Sequence, residues 1–329
     1  MKTMPLYDIA RSVAENAAKG PIFDEKIPER TKHKPVDFLG FSLHSRIGVA
    51  AGPLLNAKWV SLASQLGWDL LIYRTIRNRL HLGFPPPNIV YVERMGDHRV
   101  KILAEPPLSL ADCSVTVSFD SPSPSQLELL EDINKAKGAL QKGQVLVVPV
   151  VGDSVNDFVS AALLAKEAGA HIIEANYTSF YMSSDQVFEY TRKLSAALGT
   201  VPLIVKVGHF ANHAQMEQIL IAAAKGGAQA LSGILPVPME VVNDKGQCAF
   251  GEKRKTAGIA GGTIRPTALH FVRDAARIIQ KEKLELTLLG CGGILLPAHF
   301  DLFFEAGADV ALSGTGFLWD PYLASKYHG

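Results

Sequence analysis

Short apolar runs alternate with longer amphipathic segments along most of the chain after Pro35. Near-continuous apolar runs of this length are typical of parallel strands that are buried on both faces. The pattern predicts strands over residues 47–51, 70–75, 145–150, 171–176, 203–207, 228–234, 286–290 and 310–313. It predicts helices over residues 155–168, 184–198, 214–225, 267–281 and 297–306. Eight strands that each lead into a helix or a long loop favour a single α/β domain, a (β/α)8 TIM barrel, over a doubly wound sheet.

Two kinds of segment depart from this alternation. Residues 6–18 place apolar side chains on one helical face and mixed charges on the other, which predicts a short helix docked on the surface of the fold. Residues 77–114 and 236–266 are long connections rich in proline and turn residues, and we expect them as loops over the carboxyl-terminal face of the barrel. The predicted organisation is an N-terminal helix and extension, 1–34, followed by the barrel, 35–329.

Composition and charge narrow the classes of function. The chain has 329 residues, of which 47% are hydrophobic and 20% are charged, so a large core can form. A formal net charge of +1 argues against a nucleic-acid partner that binds through a chain-wide field. No apolar run approaches the roughly 20 residues that span a bilayer, and Pro5 and Asp8 interrupt the start of the chain, so we expect a cytoplasmic protein.

Cysteine and histidine spacing predicts no metal site. Cys113, Cys248 and Cys291 lie far apart, which excludes a zinc knuckle, an iron–sulfur cluster and a disulfide framework built within the chain. His209 and His213 are four residues apart, but the sequence supplies no third ligand for them.

Polar and small residues stand where the predicted strands end, at the face where TIM barrels carry their active sites. They are Ala51, Gly52, Arg74, Thr75, Asn176 and Lys206. A cation at such a place meets solvent, a carboxylate or an anion, because an unpaired buried charge is costly. An asparagine offers donors and an acceptor, which suits the edge of a heterocycle. For the small residues a tight turn is an equally good explanation.

Glycines follow the last two predicted strands, at Gly292-Gly293 and Gly314-Thr315. Glycines expose backbone N–H groups that can hold a phosphate, and the loops after strands seven and eight are the usual phosphate site of this fold. The two sets together predict a phosphorylated cofactor or substrate. Ser179 is a weaker candidate for catalysis, because serine after a strand is commonly a turn residue.

Taken in chain order, these pieces resemble the dihydroorotate dehydrogenase family of FMN-dependent TIM-barrel oxidoreductases. The likeness runs from about residue 36 to residue 327. Its most specific parts are residues 48–52, Gly-Val-Ala-Ala-Gly, and residues 257–269, Ala-Gly-Ile-Ala-Gly-Gly-Thr-Ile-Arg-Pro-Thr-Ala-Leu. Lys206 and the two glycine sets follow in the family's order.

The resemblance implies FMN as the cofactor and assigns a role to each matching residue. Ala51, Gly52 and Thr75 would lie beside the isoalloxazine ring, Lys206 would face its N1–O2 edge, and Asn176 would lie between flavin and substrate. Arg74 stands where one branch of the family has a lysine, and we expect it among the residues that bind the cofactor. Gly261, Gly292, Gly293, Gly314 and Thr315 would hold the ribityl phosphate. Ser179 falls where the family keeps its catalytic base, which takes a proton while a hydride passes to flavin N5.

The substrate half of the family's site differs in this chain. Val117, Tyr181 and Leu231 stand where the family has asparagines that bind dihydroorotate, with Ser232 next to the last of them. Of that set only Asn176 is kept. The expected substrate is therefore a small molecule, dihydropyrimidine-like or a carboxylate, that is less polar than dihydroorotate.

Three hypotheses follow. The first is an FMN oxidoreductase of the dihydroorotate dehydrogenase type, acting on a carbon–carbon bond, as in pyrimidine metabolism. The second is a flavin- or phosphate-binding barrel without redox turnover, and the third is a flavin-free lyase or isomerase acting on a phosphorylated metabolite. The resemblance is compatible with a homodimer, and no motif in the chain identifies the electron acceptor.

Overall fold

A closed barrel of eight parallel strands forms the centre of the protein in the computed structural model, which describes residues 4–31, 34–177 and 182–329. Each strand pairs with the next along the chain, and the eighth pairs with the first. Numbered one to eight, the strands are Ile47–Leu54, Leu70–Tyr73, Val145–Val150, Ile172–Asn176, Leu203–Val207, Ala230–Gly233, Thr287–Cys291 and Val310–Ser313. All eight overlap the predicted strands, so the prediction of a (β/α)8 barrel is confirmed.

Helices cover the outside of the barrel. Those between or after the barrel strands are Ala57–Gln65, Gln126–Gly138, Val155–Glu167, Ser184–Leu198, His213–Lys225, Arg265–Glu282, Pro297–Glu305, Thr315–Trp319 and Leu323–His328. Several begin at a serine whose hydroxyl accepts a backbone N–H three residues on. Ser154 does so for the helix after strand three, and Ser183 for the helix after strand four. Such caps satisfy N–H groups that the first helical turn leaves free.

Alternation along the strands separates two apolar clusters. Inward side chains such as Leu70, Val147 and Ile204 fill the barrel, and outward ones such as Leu71 and Leu231 pack under the helices. This follows from the two-residue period of a strand, which turns successive side chains to opposite faces. A hairpin of Val36–Phe38 and Phe41–Leu43 adds Phe38 and Leu43 to the inner cluster.

The two long connections form a second sheet over the mouth of the barrel. Its five strands, in spatial order, are Val92–Arg94, Arg99–Ile102, Val237–Val242, Thr256–Gly261 and Ser114–Val117. We call it the mouth sheet. Its register places Val117 opposite Gly258 and Ser114 opposite Gly261. The segments cover the mouth as expected, but the prediction that they are loops is wrong where these five short strands run through them.

The N-terminal helix is shorter than its pattern predicts and covers Val13–Lys19. It begins where the Ser12 hydroxyl accepts the N–H of Glu15 and the Glu15 carboxylate accepts the N–H of Ser12. The residues before it are held by contacts with the rest of the fold and not by helical hydrogen bonds. For example, the Leu6 N–H donates to the Leu318 carbonyl at 3.3 Å. In the part of the chain that the structure describes, no helix is long and apolar enough to span a membrane.

Candidate active site

A cavity of about 370 Å³ opens at the carboxyl ends of the barrel strands, beneath the mouth sheet. It brings together most of the residues predicted for the site. Those that line it are Ala51, Gly52, Arg74, Thr75, Val117, Asn176, Lys206, Gly261, Gly292, Gly293, Gly314 and Thr315. The barrel strands deliver these residues to one place because parallel strands end at the same face.

Lys206 lies at the floor of the cavity on strand five. Its side chain faces inward and the residue is only 3% exposed. The ammonium donates a hydrogen bond to the Ser232 hydroxyl on strand six at 3.1 Å. Ser232 was predicted as a substrate contact, but it is fully buried and does not line the cavity, so it contacts the site through Lys206. An ammonium has three N–H donors, and the others can face a ligand.

Asn176 and Thr75 form a hydrogen-bonded pair across the barrel mouth. The Asn176 amide nitrogen donates to the Thr75 hydroxyl at 2.9 Å, which fixes the orientation of the amide. The amide oxygen is buried and accepts no hydrogen bond from the described residues. A buried acceptor without a partner is uncommon, and it suits a ligand that brings an N–H group to this place.

Arg74 follows strand two, in the cavity wall. Its guanidinium donates to the backbone carbonyls of Leu55, at 3.4 Å, and Pro122. Burial lowers the pKa of Arg74, while the nearby Tyr73 and Asp132 act in the opposite direction. A guanidinium carries five N–H donors, so donors remain for an anionic ligand.

The glycines of the site differ in what a side chain would meet there. At Gly293, where φ is +83°, an added Cβ would lie 2.5 Å from the Arg265 Cβ, so this glycine is required by the fold itself. At Gly314 the nearest atom to an added Cβ is the Ala50 Cβ at 3.8 Å. A side chain at Gly314 would therefore enter the cavity without disturbing the protein around it.

Besides Ser232, three predicted site residues lie elsewhere or outside the described residues. Leu231 is fully buried among the outward side chains of the barrel and does not line the cavity, contrary to its prediction as a substrate contact. Its neighbours in sequence, Ala230 and Ser232, are the residues of strand six that face inward. Ser179 and Tyr181 fall outside the described residues.

Sequence reasoning missed Glu174 and Cys291. Glu174 is a fully buried carboxylate on strand four, and Cys291 lines the cavity at the end of strand seven. Burial raises the pKa of the Cys291 thiol, which keeps it in the neutral form. The signal for Glu174 was present in the sequence, since it is a lone charge within an apolar run and lies two residues before Asn176.

The cavity has apolar walls that are interrupted by a few charged side chains. The charged residues among its described lining are Arg74, Lys206 and Asp120, and Asp120 also pairs with Arg77 and His81. The apolar lining from the mouth side includes Ile89, Val115, Phe119, Leu235 and Pro236. This arrangement suits a flat, largely apolar ligand that carries negative charge.

Comparison with known proteins identifies the family. No protein-family model matches the chain. A dihydroorotate dehydrogenase of Dictyostelium discoideum is 36% identical to it, in an alignment that covers 98% of this chain and 96% of that protein. This chain belongs to the dihydroorotate dehydrogenase family. The resemblance inferred from the sequence is thereby confirmed.

More distant relatives agree with this assignment. The PreA subunit of an NAD-dependent dihydropyrimidine dehydrogenase from Escherichia coli is 25% identical over 88% of the chain and 69% of that subunit. A crystal structure of a dihydroorotate dehydrogenase from Eimeria tenella, in complex with ferulenol, matches the fold with a TM-score of 0.75 at 16% identity, over 96% and 88% of the two chains. As a member of the dihydroorotate dehydrogenase family, this protein is an oxidoreductase.

Proposed function

We propose that the protein is an FMN-dependent oxidoreductase that acts on a carbon–carbon bond of a small substrate, acidic but otherwise largely apolar. The proposal rests on one observation above all. Lys206, the unpartnered amide oxygen of Asn176 and the open face of Gly314 all line one cavity of a dehydrogenase-family barrel.

The residues of the cavity fit FMN. Gly292, Gly293 and Gly314 follow strands seven and eight, where backbone N–H groups would hold the phosphate. The Asn176 amide oxygen would accept an N–H of the ring, and the Lys206 ammonium would face the edge on which negative charge builds. When bound, FMN supplies the hydride-accepting chemistry, and the protein supplies orientation and electrostatics.

The protein's own side chains would stabilise charge, bind the substrate and transfer the proton. Lys206 provides a buried cation whose attraction grows as negative charge develops, so it acts mainly in the transition state. Arg74 would bind the carboxylate of the substrate, and the apolar wall around Val117 would exclude water from it. Ser179 would take the proton from the substrate carbon, through a neighbour or a water, because a serine hydroxyl is itself a weak base.

Gly314→Val tests the position of the phosphate. We expect a folded protein that has lost most of its affinity for FMN, since the new side chain would enter the cavity and crowd the backbone N–H groups. The measurement is FMN bound per chain after purification and after titration with added FMN. Gly138→Val is the matched control, because it also places a side chain in open space but lies outside the cavity. Equal FMN binding by both variants would contradict the assignment.

Ser179→Ala tests the proposed base. We expect the variant to keep its FMN and to lose turnover by about 10²-fold, the lower end for general-base catalysis. Steady-state rates and the visible flavin spectrum provide the two readouts. An unchanged rate would assign the proton transfer to another group.

A barrel that binds flavin without redox turnover is a second candidate, and the presence of Val117 in the cavity wall, where the family has an asparagine, favours it. Rapid-mixing reduction of the bound flavin by candidate acidic substrates separates the two. The relatives are dehydrogenases, which leaves the flavin-free lyase or isomerase without support.

A further inference from the structure

Glu174 is a buried carboxylate to which the proposed reaction assigns no role. It is fully buried on strand four, and neither of its carboxylate oxygens accepts a well-formed hydrogen bond from the described residues. A charge in such surroundings is costly unless an opposite charge lies close by. The burial of Glu174 therefore indicates that a positively charged group lies close to it.

Strand register places Glu174 just beneath Lys206. Glu174 and Asn176 share the inward face of strand four, and Asn176 pairs with Lys206 on strand five. Lys206 in turn pairs with Ser232 on strand six and donates a hydrogen bond to its hydroxyl. Glu174 thus lies one layer deeper in the barrel than Lys206, and Ser232 lies in the same layer as Lys206.

The electrostatic surroundings of Glu174 agree with this placement. Burial raises the pKa of Glu174, and the Lys206 ammonium and the Ser232 hydroxyl act in the opposite direction. Cys291 is the other titratable group that faces this pair, and burial keeps its thiol neutral. The remaining inward neighbours, Ile172 and Ile204, are apolar. Among the described residues, Lys206 is therefore the cation that compensates Glu174.

We propose that Glu174 is a positioning residue that acts on the site through Lys206. Together with Ser232 it holds the Lys206 ammonium, charged and correctly oriented, at the floor of the cavity. This inference rests on the proposed function, because the ammonium matters only if a flavin lies above it.

Glu174→Gln keeps the size of the side chain and removes its charge. Without that counter-charge, the Lys206 ammonium loses one of the two interactions that hold it at the floor of the cavity. Less positive charge would then face the flavin edge, so reduction of the bound flavin becomes less favourable. We expect the ratio of reduced to oxidised flavin at a fixed external potential to fall at least about tenfold, since charge interactions are strong in a low-dielectric interior.

The experiment is an equilibrium titration of bound FMN against a redox dye in four proteins: wild type, Glu174→Gln, Lys206→Met and the double variant. If Glu174 acts through Lys206, the glutamine substitution lowers the flavin potential in the wild-type background and changes nothing in the Lys206→Met background. Glu174→Asp, which keeps the charge, should restore most of the wild-type potential.

Asp69→Asn is the matched control, because it also removes a fully buried carboxylate but lies outside the cavity, where Asp69 contacts Ser45 and Arg30. It should leave the flavin potential unchanged. An equal shift in both Lys206 backgrounds, a rise in potential in Glu174→Gln, or no shift at all would each overturn the proposal. If Glu174→Gln does not fold, Ser232→Ala takes its place, and a wild-type potential in that variant would equally overturn it.

The same experiments distinguish an error in the proposed function from an error in the role of Glu174. A wild-type protein that takes up no FMN rejects the proposed function before any variant is compared. A wild type that binds and reduces FMN, with a silent Glu174→Gln, rejects only the role of Glu174.

Discussion

Lys206→Ala is expected to slow reduction of the bound flavin by about 10²–10³-fold, while substrate binding changes much less. The residue is only 3% exposed at the cavity floor, where water does not screen its charge. The Lys206 ammonium would interact weakly with a neutral flavin ring and more strongly with a ring that carries negative charge. Loss of the ammonium should therefore raise the barrier to reduction more than it weakens the ground state.

Rapid mixing under anaerobic conditions measures this effect, because it separates the reduction rate from the substrate concentration that half-saturates it. Lys225→Ala is a suitable control, since Lys225 is an exposed lysine at the end of a helix and outside the cavity. A Lys206 variant that reduces its flavin at the wild-type rate would show that the ammonium serves only the fold.

Dihydroorotate is expected to bind about 30- to 2 × 10⁴-fold more weakly than it would to a site with the family's asparagines. Its ring carries several N–H and C=O groups. Each of these that is desolvated against an apolar wall without a partner costs about 1–3 kcal/mol, and two such groups give the stated range. Val117 contributes to such a wall here, beside Phe119 and Leu235. Arg74 would still bind the carboxylate, so a more apolar acid should bind better.

Anaerobic titration with dihydroorotate and with less polar carboxylic acids tests this preference. Val117→Asn should recover part of the affinity for dihydroorotate, about tenfold for one restored hydrogen bond. Val117→Ala is the control, because it enlarges the cavity without adding a hydrogen-bonding group. Rapid bleaching of the wild-type flavin by micromolar dihydroorotate would contradict the prediction.

The barrel and most of the cavity lining were predictable because each depends on local sequence. Strands such as Val145–Val150 are continuous apolar runs, and residues at strand ends share one face of a barrel whatever the loops do. Asn176, Lys206 and the glycines after strands seven and eight could therefore be assigned to one site without any knowledge of side-chain contacts. Leu231 was misplaced because a difference of one residue along a strand turns a side chain from the inside to the outside.

The mouth sheet and the N-terminal segment depend on hydrogen bonds with residues far away in the sequence, which the local hydrophobic pattern does not reveal. Ser114–Val117 pairs with Thr256–Gly261, more than a hundred residues later, so the partner of each strand cannot be read from its local sequence. Residues 6–12 have helical spacing, but they do not form a helix, and hydrogen bonds such as that from Leu6 to Leu318 hold them instead. Tertiary contacts override a weak local preference in both cases.

The mouth sheet also affects how this protein can acquire new substrates. Val117 belongs to that sheet, whereas Lys206 and Asn176 belong to the barrel, and the two sets of strands have separate hydrogen-bond ladders. Replacing Val117 and its neighbours on Ser114–Val117 would reshape this wall of the cavity and leave Lys206 and Asn176 in register, whereas Gly261 of the same sheet also lines the cavity and would have to be kept. Substrate preference could therefore change through one strand of the mouth sheet while the barrel stays as it is.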